Sequence, residues 1–325
     1  MERFRIYGNE YIKNKLSSMI IKGRMIPSIL IYGEKGLGKS EMAKYIAASL
    51  NCEKHSGSPC SECRSCRMIL HSNHPDVIYV TPSSKSGLYR VKEDIRPIVS
   101  DAYIPPNESG KKIYIIDDAQ KLNAECQNAL LKVFEEPPGE TVFILTADNK
   151  QSVLETVLSR VFSFEMSRVS PKQAEAAIIE NGFDEVKSSD AQSAFPGNIG
   201  KQLEYLNGGD LFDAVVIART IIDAAVLKNE YEILKAYSQL TERETAQNVI
   251  DLIMEILSSA VEYSTGADVY PCAYNEGAKR LSDITFSKRI AELYDTLSGV
   301  KDRIQNYANL NVLTAVLAAE MTRLW

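Results

Sequence analysis

The sequence predicts an α/β fold: a parallel sheet with an inserted metal module, followed by an all-helical second half. Three observations predict it. In the first half, short apolar runs alternate with helical patterns, as parallel strands joined by crossover helices do. The octapeptide Gly33-Glu34-Lys35-Gly36-Leu37-Gly38-Lys39-Ser40 stands between the first such run and a helical run, the place of a phosphate-binding loop. After Arg168 the strand signal stops and long amphipathic runs take over.

Four runs read as strands buried on both faces: 29–32, 77–80, 113–116 and 142–145. Each is rich in β-branched or aromatic residues and is followed by a polar or Gly-containing turn. Residues 41–50 and 124–136 read as helices between them. In the latter, Ala129, Leu130, Val133 and Phe134 form an apolar stripe expected in the core, and Lys132 is open to phosphate contact or to none. From 171 to 206 the pattern predicts two or three small helices, broken at Asn181-Gly182 and Pro196-Gly197. Long helical runs follow at 211–227, 244–263, 286–307 and 310–325. In the last, Leu310, Leu313, Leu317 and Leu324 are expected in a core with Val316 and Met321. The domains expected are therefore 1–168, 169–208 and 209–325.

The chain has 325 residues, 45% hydrophobic and 25% charged, enough for more than one core. Its net charge of −6 is unevenly spread. Residues 1–167 hold 22 Lys and Arg against 20 Asp and Glu, while 168–325 hold 15 against 23. That balance disfavours a chain that wraps nucleic acid by itself, which needs a concentrated basic face. No run approaches the roughly 18 apolar residues of a membrane span, and the opening MERFRIYGNE has no secretory core, so the expected address is the cytosol.

The octapeptide satisfies G-x-x-x-x-G-K-[ST]. Gly33, Gly36 and Gly38 let backbone N–H groups converge on phosphate oxygens, and the helix that follows aims its positive end at the same anion. Lys39 is expected at the β- and γ-phosphates of ATP, and Ser40 at the Mg²⁺ ion. A later strand ends in Asp117-Asp118. Asp117 stands where an acidic residue holds Mg²⁺. Asp118 stands where a Glu would polarise the attacking water, but it is one methylene short and would miss by roughly 1 Å, enough to cost ~10²-fold. Nucleotide binding is predicted; fast hydrolysis is not.

Four of the six cysteines, Cys52, Cys60, Cys63 and Cys66, fall within fifteen residues. Two overlapping C-x-x-C units plus a fourth thiolate can close a tetrahedral Zn²⁺ site with no position open to water, hence structural. A redox pair is the competing reading. His55, His71 and His74 lie in or beside the segment; His55 and His71 could replace one ligand, but four cysteines suffice and the histidines read as bystanders, while Cys126 and Cys272 are expected in packed cores.

The intact P-loop, the four-cysteine module after its helix and His74-Pro75-Asp76-Val77 together resemble the bacterial clamp-loader AAA+ subunits of DNA polymerase III. The run Asn128-Ala129-Leu130-Leu131-Lys132-Val133-Phe134-Glu135-Glu136-Pro137-Pro138 is similar to that family's N-A-L-L-K-x-L-E-E-P-P, and Leu158-Ser159-Arg160 to the start of its L-S-R-C. The resemblance covers about residues 20–165; beyond them only the architecture, a helical lid and then a helical collar, is similar. The family's gamma/tau motor carries D-E-x-H where this chain has Asp117-Asp118-Ala119-Gln120, and a lid arginine where it has Gly200. Its first-sensor threonine position falls on Ala147-Asp148, with Thr146 just before, and Val161 replaces the cysteine after Arg160. The Pro196-Gly197-Asn198-Ile199-Gly200 form resembles the delta-prime branch.

That resemblance implies a subunit of a DNA-directed DNA polymerase holoenzyme with weak or absent ATP hydrolysis of its own. It implies a hetero-pentamer with gamma/tau and delta subunits, held by the collar, that loads a sliding clamp onto primed DNA. Arg160 is then the arginine finger, acting in trans on ATP held by a neighbour. A self-sufficient AAA+ ATPase, either the gamma/tau motor or a remodelling enzyme, is the alternative. A zinc-dependent nucleic-acid binder is the weaker third.

Overall fold

Apolar strands whose side chains alternate between two faces need cover on both, and the first half of the chain supplies it. The computed structural model describes residues 3–24, 27–266, 271–305 and 309–324, without the side chains of 302, 305 and 324. The chain forms two compact units, Met1–Val169 and Ser170–Trp325.

In the first unit, helix α1 (Glu10–Ile21) precedes β1 (Ser28–Tyr32), α2 (Lys39–Leu50), α3 (Arg64–Leu70) and β2 (Val77–Val80). A π-helical turn, Val91–Ile95, runs into α4 (Arg96–Asp101). Then come β3 (Lys112–Ile116), α5 (Ala124–Glu135), β4 (Thr141–Ala147), α6 (Glu155–Leu158) and β5 (Phe162–Glu165). Among the described residues the sheet order is β2-β3-β4-β1-β5, and every pairing is parallel. All four expected strands form, with β4 running on to Ala147. The fifth, β5, is an addition at the edge. Phe162 and Phe164 share one face and Ser163 and Glu165 the other, so only one face carries an apolar signal.

Ile29, Ile31, Ile113, Ile115 and Ile144 turn to one face, where Leu16 of α1 and Met42 and Ile46 of α2 cover them. Leu30, Tyr114, Ile116, Phe143 and Leu145 turn to the other, against Leu130 and Val133 of α5. Tyr114 and Phe143 are partners in register and stack with ring centroids 5.1 Å apart. The expected stripe on α5 is buried at Leu130, Val133 and Phe134, half-buried at Ala129, and Lys132 is exposed. Because the strands are parallel, the loop after β1 and the ends of β3 and β4 gather at one edge, where open α/β sheets bind ligands.

The second unit is all-helical among its described residues: α7 (Pro171–Glu180), α8 (Glu185–Ala194), α9 (Ile199–Leu206), α10 (Asp210–Val226), α11 (Glu230–Ser238), α12 (Arg243–Thr265), α13 (Asn275–Ile284), α14 (Ser287–Gln305) and α15 (Leu310–Met321). Ser170 opens it with a capping box, its hydroxyl accepting the Gln173 N–H while the Gln173 side chain returns to the Ser170 backbone. The expected breaks fall between helices. One core runs from Ala191 and Phe195 through Ile221 and Ile253 to Leu317 and Met321. The segments expected as lid and collar share that core.

Leu310, Leu313, Leu317 and Met321 are buried, but Val316 is 39% exposed, contrary to expectation. At about 100° per residue, Val316 lies far around α15 from the buried stripe. The expected burial of Leu324, and the run ends at Tyr307 and Trp325, lie outside the described residues. No described helix is long and apolar enough to cross a membrane.

Asp76 fixes the approach to β3. It is fully buried, and its carboxylate accepts the backbone N–H groups of Asn107 (2.6 Å), Glu108 (2.8 Å) and Ser109 (2.9 Å) and the Ser109 hydroxyl. Its own carbonyl accepts the N–H of Ile113, the second residue of β3. Burial pushes the Asp76 pKa up, but these donors more than offset it and hold it down at about 2. A depressed carboxylate stabilises the fold above its ordinary pKa, and that contribution is lost as pH falls toward about 2. We expect Asp76→Asn to cost about 3 kcal/mol in urea melts at pH 7, with the gap to wild type narrowing as pH falls. A gap independent of pH would count against this role.

Candidate nucleotide and metal sites

The loop from Gly33 to Ser40 follows β1 directly, and its glycines answer to specific constraints. Gly33, Gly36 and Gly38 all have positive φ. A Cβ on Gly33 would lie 2.6 Å from the carbonyl oxygen of Met166, just past β5, so only glycine fits. Gly38 is the N-cap of α2, left-handed and without a side-chain cap, which leaves the helix start to an anion.

The Lys39 ammonium is buried at 8% exposure and has three acceptors: the carbonyl of Gly33 at 2.8 Å, that of Glu34 at 3.1 Å and Asp148 Oδ1 at 2.9 Å. Ser40 donates its hydroxyl to Asp117 Oδ1 at 3.0 Å. Thr146 at the end of β4 donates to the same oxygen at 2.9 Å and accepts the Asp118 N–H at 3.0 Å. The serine hydroxyl and the carboxylate that a Mg²⁺ ion would draw on are thus already in contact. Arg168 pairs with Glu34 at 2.9 Å, a brace on the loop from beyond β5.

Asp118 is left-handed (φ 57°), and its carboxylate is engaged. Lys121 Nζ lies 2.7 Å from Oδ2, and the Gln120 amide lies 3.1 Å from Oδ1. Gln120 also donates to Asp148 Oδ2 at 2.9 Å and accepts the Asp148 N–H at 3.3 Å. Sequence reading marked Gly33, Gly36, Gly38, Lys39, Ser40, Asp117 and Asp118, and the structure gathers them at one edge of the sheet. Sequence reading sets Gln120 at the motor's D-E-x-H motif and Thr146 and Asp148 at the first-sensor position without foreseeing their contacts, and gives Arg168 no role. A signal for Asp148 existed: it follows the strand that pairs with β1.

Arg160, after α6, finds its hydrogen-bond partners outside this cluster. Its guanidinium pairs with Glu135 at the end of α5, with Nε 2.5 Å from Oε1, and Nη1 donates to the Thr156 carbonyl at 2.7 Å. The side chain keeps a third of its surface exposed. Gly200 lies in the first turn of α9, in the second unit.

The four clustered cysteines converge. Their Sγ atoms all lie within 4.8 Å of one another, and Cys60 and Cys66 are 4.0 Å apart. Four sulfurs around Zn²⁺ at about 2.3 Å would sit roughly 3.8 Å apart, so the donor set fits with a small contraction. Cys63 caps α3, its sulfur accepting the Cys66 N–H at 3.4 Å, and Cys60 accepts the Cys63 N–H at 3.3 Å. Burial pushes the Cys52 and Cys66 thiols up. Burial opposes ionisation of Cys60 too, but the N–H groups of Cys63 and Glu62 and the neighbouring thiols bring it down to about 6. The histidines do not join the cluster. His74 is buried and accepts the Asp76 N–H at Nδ1, 3.1 Å away. Cys126 and Cys272 are fully buried.

The family described as DNA polymerase III, delta subunit, matches residues 8–170, half of the chain. The chain belongs to that family. Among its relatives, the DNA polymerase III subunit delta' of Bacillus subtilis (strain 168) is 35% identical over 165 residues, covering 51% of this chain and 49% of that protein. Subunit tau of the same organism is 27% identical over 316 residues, covering 92% of this chain and 52% of tau. A gamma subunit-related protein of Thermotoga maritima, known as a crystal structure, is 18% identical with a TM-score of 0.46, covering 97% of this chain and 99% of that one. The chain spans about half the length of the curated relatives it matches. Across the family segment lie the whole sheet, the P-loop and the cysteine cluster.

Metal analysis of the purified chain is expected to give about one bound ion per chain, held by all four sulfurs. Cys66→Ser should lose most of it and lower Tm, while His55→Ala leaves both unchanged. Full metal content in Cys66→Ser would contradict the assignment.

Proposed function

We propose that this chain is a delta-prime-type subunit of the bacterial DNA polymerase III clamp loader, an AAA+ protein of the cytoplasm. It works as a stator that helps place the sliding clamp on primed DNA, in a hetero-pentamer with gamma/tau and delta subunits. Its first unit binds ATP with Mg²⁺ through Gly33, Gly36, Gly38, Lys39, Ser40 and Asp117, and hydrolyses it slowly or not at all. One observation carries this reading: the carboxylate of Asp118 is tied to Lys121 and Gln120, where an active ATPase needs a free base beside the attacking water.

The four cysteines hold a structural Zn²⁺, which cross-links Cys52, two residues past α2, to α3. In the second unit, 169–208 acts as the lid and 209–325 as the collar, and the acidity of that half suits contact with protein rather than DNA. Arg160 completes the site of a neighbouring motor subunit. For that it exchanges Glu135 for a phosphate of the neighbour's ATP, a swap that its partial exposure permits.

A gamma/tau-type motor is the competing reading, and the alignment with tau over most of the chain speaks for it. Reconstitution with the cognate gamma/tau and delta subunits separates the two. In clamp- and DNA-stimulated ATPase assays, Arg160→Ala should lower the rate at least ~10-fold. Lys39→Ala should abolish nucleotide binding by the isolated chain yet leave most of the stimulated rate. An unchanged rate with Arg160→Ala sinks the trans finger, and loss of the stimulated rate with Lys39→Ala favours the motor.

A further inference from the structure

The Lys39 ammonium has three protons and three acceptors, and only one acceptor is charged. The carbonyls of Gly33 and Glu34 belong to the loop itself and are neutral. Asp148 is different: it is a side chain from another strand end, its charge lies 2.9 Å from the ammonium, and it is 39% exposed on the side open to solvent. Gln120 clasps it twice, through the side-chain oxygen and the backbone N–H. The same Gln120 amide reaches Asp118, which stands where an active ATPase carries its water-polarising Glu. The γ-phosphate of a triphosphate would draw on the same ammonium that Asp148 holds.

We propose that Asp148 is a specificity-determining residue that sets this site to favour a nucleoside diphosphate over a triphosphate. The inference rests on the nucleotide-binding reading above and deepens it. The loop amides and the helix start take the α- and β-phosphates. A γ-phosphate adds negative charge beside Asp148 and competes with it for one ammonium. It binds only by displacing a carboxylate that Gln120 holds in place, or by standing next to it as a like charge. Both cost affinity, and neither cost falls on a diphosphate.

The test is titration of the full chain with Mg²⁺-ADP and with the Mg²⁺ complex of a non-hydrolysable ATP analogue, followed by calorimetry. Wild type should bind the diphosphate more tightly. Asp148→Asn keeps the shape and the clasp but removes the charge, and should raise the triphosphate affinity relative to the diphosphate by on the order of tenfold. Asp148→Ser should shift the ratio the same way, and Asp148→Glu should keep the wild-type preference. A purely structural role would weaken both nucleotides together and leave the ratio unmoved. A ratio that stays within twofold of wild type in both Asn and Ser variants, or a wild type that already prefers the triphosphate, overturns the inference while nucleotide binding stands. Binding of neither nucleotide by wild type overturns the site reading, and this inference with it.

Discussion

A buried ammonium ties the first unit together. Lys39 sits at the start of α2, and burial would be costly for it without acceptors of matching geometry. It finds two in the loop after β1 and one at the end of β4. Those strands are neighbours in the sheet, paired from Ser28 with Phe143 to Tyr32 with Ala147. A slip in that register would carry Asp148 away from the ammonium and turn the strand's side chains to the wrong faces. The apolar layers on either face of the sheet thus fix the site as firmly as they fix the fold.

The same economy of neighbours explains the rest of the edge. Asp117 directly follows β3, the strand between β2 and β4, and Thr146 hydrogen-bonds it from β4 while Ser40 reaches it from α2. Asp76 holds the segment ahead of β3 through three backbone N–H groups, so the carboxylate at the far end of that strand has a fixed starting point. On the opposite side, Met166 crowds Gly33 and Arg168 braces Glu34. The cysteine cluster is a separate anchor. Cys52 and Cys66 are packed in the same core as α1 and α2, so a metal there would join core to surface with little apolar area of its own.

Much of this was legible in the residues. The P-loop is a contiguous pattern with a fixed mechanism, and the central strands are apolar on both faces, so both announce themselves. The cysteine spacing likewise needs no tertiary information. What escaped notice depends on neighbours far apart in sequence. β5 is an edge strand, apolar on one face for four residues, and nothing local separates it from a loop. Helix α11 turns Tyr231 and Leu234 outward, which blurs the stripe that marks a helix, and Val316 fell on the wrong side of a helix whose residues are nearly all apolar. The pairing of Asp148 with Lys39 has no local signal because the two lie 109 positions apart. The pairing of Arg160 with Glu135 is of the same kind, local in space but not in sequence.

The central claim is that the first unit holds a nucleotide without turning it over. Its most direct test is a rapid-quench single-turnover experiment with radiolabelled ATP, the full chain in excess and no partner subunit present. With Asp118 bound to Lys121 and Gln120, bound ATP should hydrolyse more slowly than about 10⁻² s⁻¹. Conversion at about 1 s⁻¹ or faster, by a chain of verified purity, would contradict the account and make this chain an active ATPase.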